Sequence, residues 1–124
     1  MSRETPEALV DRYCAAWNTA DGAERRAILS SVLTDGGLYV DPSVRAVGLE
    51  AFAVHIDGVV ARNPGARISR TGPIDFHHEV LRFPWSNRLA DGKVLRAGGD
   101  FCMLAADGKF QLIVGFFDPA VGNS

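Results

Sequence analysis

Tyr39-Val40-Asp41-Pro42 is the stretch around which this chain is organised. It closes a short strand, Gly37 to Asp41, and proline ends that strand because it has no N–H to extend a ladder. An acidic side chain at the last residue of such a strand adds little to packing. Asp41 is therefore the first candidate for a general base in an apolar pocket.

Upstream of this strand the pattern is helical. Thr5-Pro6-Glu7 reads as a helix start: Thr5 caps, Pro6 sits where a missing N–H costs nothing, and Glu7 favours the positive end of the dipole. Leu9, Tyr13, Ala16 and Trp17 share one face, which Val10 and Cys14 widen. Asp21-Gly22-Ala23-Glu24 opens a second helix with Ile28, Leu29, Val32 and Leu33 as its buried face. Asp35-Gly36-Gly37 breaks that helix and delivers the chain to the strand.

Downstream of Pro42 a loop runs to Gly48, and a third helix follows with Leu49, Phe52, Ala53, Ile56, Val59 and Val60 at helical spacing. Asn63-Pro64-Gly65 ends it. The remainder reads as four strands, Ala66 to Thr71, Ile74 to Phe83, Leu95 to Leu104, and Phe110 to Phe117. Ala90-Asp91-Gly92-Lys93 and Asp107-Gly108 mark hairpin reversals. The expected architecture is α+β: three N-terminal helices on a strongly curved antiparallel sheet, forming a cone with an internal pocket.

Composition agrees with a single domain over residues 1–124. The chain is 47% hydrophobic and 23% charged, ordinary values for a soluble protein, and its net charge of −2 gives no nucleic-acid footprint. No apolar run reaches the length of a membrane span, and the polar start lacks a signal-peptide core, so a cytoplasmic protein is expected. Cys14 and Cys102 read as free buried thiols. No three ligands show metal spacing, so neither metal nor other cofactor is expected.

Arg12-Tyr13, Val40-Asp41-Pro42, Gly48-Leu49-Glu50, Thr71-Gly72-Pro73 and Gly99-Asp100-Phe101 ahead of Asp107-Gly108-Lys109 occur in a telling order. In this order the chain resembles the SnoaL-like and ketosteroid-isomerase-like proteins of the nuclear transport factor 2-like superfamily, from about Ala8 to Phe117. The resemblance implies a cofactor-independent isomerase or polyketide cyclase that removes a proton next to a carbonyl. It carries the family's base onto Asp41, its oxyanion tyrosine onto Tyr13, and its protonated aspartate onto Asp100. The isomerases' supporting tyrosine on the third helix falls on Ile56, and His77-His78 and Arg82-Phe83-Pro84-Trp85 lie outside their pattern.

Several further readings come from the residues themselves. His77 and His78 point to opposite faces of a strand, and parity with Ile74, Phe76 and Val80 favours His78 inward, where it would pair with Asp41 for dehydration or hydrolysis. His55 lies off the apolar stripe and reads as a surface residue. Trp17, Phe52, Trp85, Ile113 and Phe117 are the candidate walls of a pocket for a small apolar carbonyl compound. Arg82 and Arg96 could reach an anionic substrate, although surface pairs are the commoner use of such residues. A non-catalytic binder of small hydrophobic molecules, or a dimeric interaction module, is the alternative on the same fold. The uncovered sheet face is expected to join two copies into a homodimer. Neither nucleic acid nor membrane is an expected partner.

Overall fold

The computed structural model describes residues 4–119. Its elements run α1 (Pro6–Trp17), α2 (Gly22–Val32), β1 (Leu33–Asp41), β2 (Val44–Val47), α3 (Leu49–Arg62), β3 (Arg67–Arg70), β4 (Asp75–His77), β5 (Val80–Arg88), β6 (Val94–Leu104) and β7 (Phe110–Phe117). The strands form one sheet in the order β2-β1-β7-β6-β5-β3, with β4 also on β5. All pairings are antiparallel except β1 with β7, where Tyr39 pairs with Ile113 and Val40 with Val114. The three helices and this curved, unclosed sheet make the α+β cone that the sequence leads one to expect.

Local chemistry explains the helix ends. The Ala8 N–H donates to Thr5 Oγ1 at 3.1 Å, and the Glu24 N–H donates to Asp21 Oδ2 at 2.9 Å, so both expected caps form. Asn18 ends α1 and clamps it to β3: its Nδ2 donates to Ile68 O at 2.8 Å, and the Ile68 N–H returns a bond to its Oδ1 at 2.7 Å. Arg25, fully buried in α2, donates through Nε to Ala16 O at 3.1 Å and pairs with Thr19 O and Asp57. One guanidinium thereby joins the end of α1, the following loop and α3. A buried cation with each of its three nitrogens bonded is tolerated, and removing a partner would strand it.

Two corrections concern the strands. Residues 44–47, expected as loop, form β2 and pair back on β1, with Leu38 opposite Val47 and Asp41 opposite Val44. The run from Ile74 to Phe83 is broken. His78 and Glu79 both have positive φ, 47° and 66°, and form the two-residue turn between β4 and β5. Such turns suit the right-handed twist of the flanking strands, even though non-glycine residues seldom adopt these angles. Beyond the turn, Leu81, Phe83, Trp85 and Asn87 face the interior, the opposite parity to the one that would turn His78 inward.

The core gathers between helices and sheet. Leu9, Val10, Tyr13, Phe52, Ala53, Ile56, Phe110 and Ile113 are among its fully enclosed residues. Toward the wide end of the cone this core gives way to a cavity. No helix among the described residues is long and apolar enough to cross a membrane.

Candidate active site

The cavity occupies about 260 Å³ between α1, α3 and the concave face of the sheet. Its floor is set by a row of residues on adjacent strands. Asp41 ends β1, Gly115 lies on β7, and Asp100 on β6 is the direct cross-strand partner of Gly115. A methyl group built on Gly115 would lie 3.1 Å from Asp100 Oδ1 and 3.3 Å from Asp41 Cβ. The absent side chain is what lets the two carboxyl groups share one floor.

Asp41 is 8% exposed and surrounded by donors. Its Oδ1 accepts from the Ser43 N–H at 2.7 Å and the Ser43 hydroxyl at 2.6 Å. This is an Asx turn, made available by the Asp-Pro-Ser sequence. Its Oδ2 accepts from the Tyr39 hydroxyl at 2.7 Å, and His55 Nε2 stands 3.7 Å from the same oxygen. Tyr39 and Asp41, two residues apart, project from one face of β1. Burial opposes ionisation of Asp41, but His55, the Ser43 and Tyr39 hydroxyls and the Ser43 backbone N–H outweigh it and hold the carboxyl well below the usual range.

Asp100 is 5% exposed and its environment is the opposite. Its Oδ1 accepts from Trp85 Nε1 at 2.9 Å, and the Tyr13 hydroxyl donates to Oδ2 at 3.3 Å. Burial pushes its carboxyl up to about 7, the Trp85 and Tyr13 bonds resist this, and the charge of Asp41 adds to it. Because the indole can only donate, a proton on Asp100 belongs on Oδ2, beside Tyr13. The 3.3 Å separation is long for an O–H···O bond, so both groups are free to turn to a third oxygen. Tyr13 itself stays neutral, since burial and then Asp100 raise its hydroxyl well above the ordinary range.

Of the residues expected from sequence, Asp41, Tyr13 and Asp100 meet at this cavity, and Trp17, Trp85 and Phe117 line it. Three do not. His78 is exposed in the β4–β5 turn, because two left-handed residues reverse the chain there. Phe52 and Ile113 are fully buried one layer beneath the cavity, where Phe52 stacks on the Tyr39 ring at 4.2 Å between centroids. His55 is corrected in the other direction. Its side chain is 14% exposed, and it packs edge-on against Trp17 at 6.1 Å and faces Asp41. The spacing Phe52, His55, Val59, Arg62 places it on the cavity side of α3, a signal hidden by the stronger apolar stripe. Ser43, Tyr39, Asn87 and Gly115 were missed as site residues; the Asx-turn motif and the shared strand face could have found the first two.

Among the described residues no three His, Cys, Asp or Glu side chains converge in a way that would hold a metal ion.

Comparison with solved structures finds a candidate isomerase of the SnoaL-like family from Agrobacterium tumefaciens str. C58 that is 30% identical, with TM-score 0.86, over 90% of this chain and 96% of that one. A protein with a ketosteroid isomerase-like fold from Catenulispora acidiphila, solved with trimethylamine, is 13% identical, with TM-score 0.73, over 93% and 88% of the two chains. A candidate SnoaL-like polyketide cyclase from Jannaschia sp. CCS1 is 13% identical, with TM-score 0.68, over 95% and 92%. The last two share the fold. No protein-family model and no curated protein matches the sequence.

The neutral state of Asp100 has a consequence for stability. Its carboxyl loses the proton at about 7 in the folded chain, against 3.8 as the ordinary value. Between these values the folded chain binds a proton that the unfolded chain does not, so stability falls as pH rises from about 4 to about 7. Asn at this position keeps the acceptor for Trp85 and cannot ionise. Asp100→Asn is therefore expected to gain stability relative to the parent across this interval and hold the gain above it. Urea unfolding at a series of pH values checks this; a difference that stays constant from about pH 4 to about pH 8 contradicts it.

Proposed function

This chain belongs to the SnoaL-like family of the nuclear transport factor 2-like superfamily, and from that premise we propose that it catalyses proton transfer next to a carbonyl, as an isomerase or cyclase without a cofactor. One observation carries the reading: two carboxyl groups share a cavity floor, and their surroundings push their proton affinities apart. Pairs of this kind divide into base and acid.

In the proposed reaction the substrate carbonyl oxygen lies between Tyr13 and Asp100 Oδ2. Asp41 takes the α-proton through Oδ2, and the two donors stabilise the enolate. Return of the proton to a different carbon completes an isomerisation; attack of the enolate carbon on a second carbonyl completes a cyclisation. The low basicity of Asp41 works against proton removal, and neutral donors that stabilise the oxyanion in a dry site offset it.

A second reading is favoured by the 3.7 Å approach of His55 Nε2 to Asp41 Oδ2. It assigns to His55 the histidine half of an Asp-His pair, suited to dehydration or hydrolysis. A non-catalytic binder of small hydrophobic molecules remains the competing class on this fold. The homodimer belongs to the proposal too. Phe76, Phe101, Met103 and Phe116 stand exposed on strands of one sheet, with Phe116 57% exposed, an apolar face that a second copy could cover.

Exchange of α-protons of small ketones in deuterium oxide, followed by NMR, tests the reaction without knowledge of the natural substrate. Asp41→Asn is expected to lower the exchange rate by about 10²–10⁴-fold, and unchanged exchange contradicts the assignment. Tyr39→Phe removes one of the donors that suppress the basicity of Asp41. The acid limb of its pH–rate profile should move to higher pH, whereas a limb that stays in place separates Asp41 from catalysis. His55→Ala that abolishes activity while Tyr13→Phe leaves it intact selects the Asp-His reading. Light scattering should give twice the chain mass; a monomer contradicts the dimer.

A further inference from the structure

The cavity is lined by two buried carboxyl groups, Asp41 and Asp100, and by two exposed arginines, Arg62 and Arg96. Arg96 on β6 pairs across the sheet with Asn87 on β5, and its guanidinium lies over the Phe117 ring, 4.3 Å from the centroid. Arg62, in the last turn of α3, lines the same cavity from the helix layer. Arg12, Arg25, Arg26 and Arg82 are each paired with a carboxylate. Arg62 and Arg96 have no carboxylate partner among the described residues; Arg45, Arg67, Arg70 and Arg88 have none either, but only Arg62 and Arg96 line the cavity. The end of a helix suits a cation, which accounts for Arg62 on α3 but not for its lining the same cavity as Arg96.

A second observation is independent of these charges. Asn87 is only 8% exposed and lines the cavity wall, yet its Oδ1 is buried without a hydrogen-bond partner. It is the one such side-chain atom among the described residues. A buried acceptor left unpaired is destabilising, and each such group in a native protein calls for a physical explanation.

We infer that the cavity takes a small monoanionic carboxylic acid rather than a wholly apolar molecule. The carboxylate sits at the mouth between Arg62 and Arg96, whose planar forks match its two oxygens. The apolar body lies against Trp85 and Phe117. A hydroxyl or N–H on that body donates to the Asn87 amide, whose Oδ1 turns out of its enclosed position to accept it. The ionised Asp41 repels a second negative charge at the floor, so the charged end faces outward and the carbonyl inward. The inward placement of the carbonyl rests on the proton-transfer reading above; the charge preference does not.

The full chain can be tested by fluorescence, because Trp17 and Trp85 both line the cavity. The probes are para-hydroxyphenylacetate, its neutral amide, and phenylacetate. The acid is expected to bind at least ~10-fold more tightly than the amide, and added salt should weaken the acid alone. Arg62→Gln and Arg96→Gln, both at exposed positions, should each weaken the acid about 5- to 10-fold and leave the amide unchanged. Asn87→Ala should erase the advantage of the hydroxylated acid over phenylacetate. Equal binding of acid and amide, equal weakening of both by the arginine substitutions, or no saturable signal from the acid up to about 10 mM each overturns the inference. Charge preference with no proton exchange in any bound ligand counts against the proposed reaction alone. Proton exchange without charge preference counts against this inference alone.

Discussion

Two carboxyl groups on one enclosed floor cannot both ionise without penalty, and most of the site is arranged around that constraint. Asp41 and Asp100 are separated by a glycine, and neither is open to bulk water. Any donor given to one lowers its proton affinity and, through its retained charge, raises that of the other. The structure resolves the conflict by unequal supply. Asp41 has the Asx turn, the Tyr39 hydroxyl and His55. Asp100 has one indole, one distant phenol and otherwise apolar walls. The asymmetry is a property of neighbours rather than of the two aspartates, which are chemically identical.

The fold serves this arrangement at several levels. The parallel β1–β7 pairing and the antiparallel β7–β6 pairing bring residues distant in sequence into one row. The aromatic layer beneath holds the donors in place: Phe52 stacks on Tyr39, and Tyr13 packs edge-on against Phe83 and Phe110. Phe52 thus contributes to the site without touching the cavity. The Arg25 latch and the Asn18–Ile68 clamp keep the helix layer seated over the sheet. Gly98 allows the β6 and β7 backbones to approach closely next to Trp85, since an added Cβ there would lie 2.0 Å from Phe116 O and 3.0 Å from the Trp85 ring.

Much of this was legible in the sequence where short-range rules apply. Caps at Thr5 and Asp21, the apolar stripe of α3 and the Asp107-Gly108 reversal gave the order of elements. The resemblance then carried Asp41, Tyr13 and Asp100 to positions that the structure brings to one cavity. What failed depended on long-range geometry. Strand alternation could not show that His78-Glu79 adopts a left-handed turn, so the wrong histidine was turned inward. His55 was hidden because a residue flanking an apolar stripe is indistinguishable from a solvent-facing one until the sheet opposite is known. Strand parity for Ile113 and helical spacing for Phe52 give a face and not a depth, so neither tells a cavity wall from the layer beneath it. Gly115 had no signal, since a missing side chain matters only through what stands on either side of it.

The central claim is that Asp41 is ionised and Asp100 protonated on the same floor. Carboxyl carbon-13 NMR titration of aspartate-labelled protein, assigned with Asp41→Asn and Asp100→Asn, measures it directly. The account predicts that the Asp100 signal titrates at about 7 and that the Asp41 signal keeps its ionised shift well below the ordinary aspartate range. Two signals that both titrate near the ordinary value, or an Asp100 already ionised at about pH 5, would contradict it.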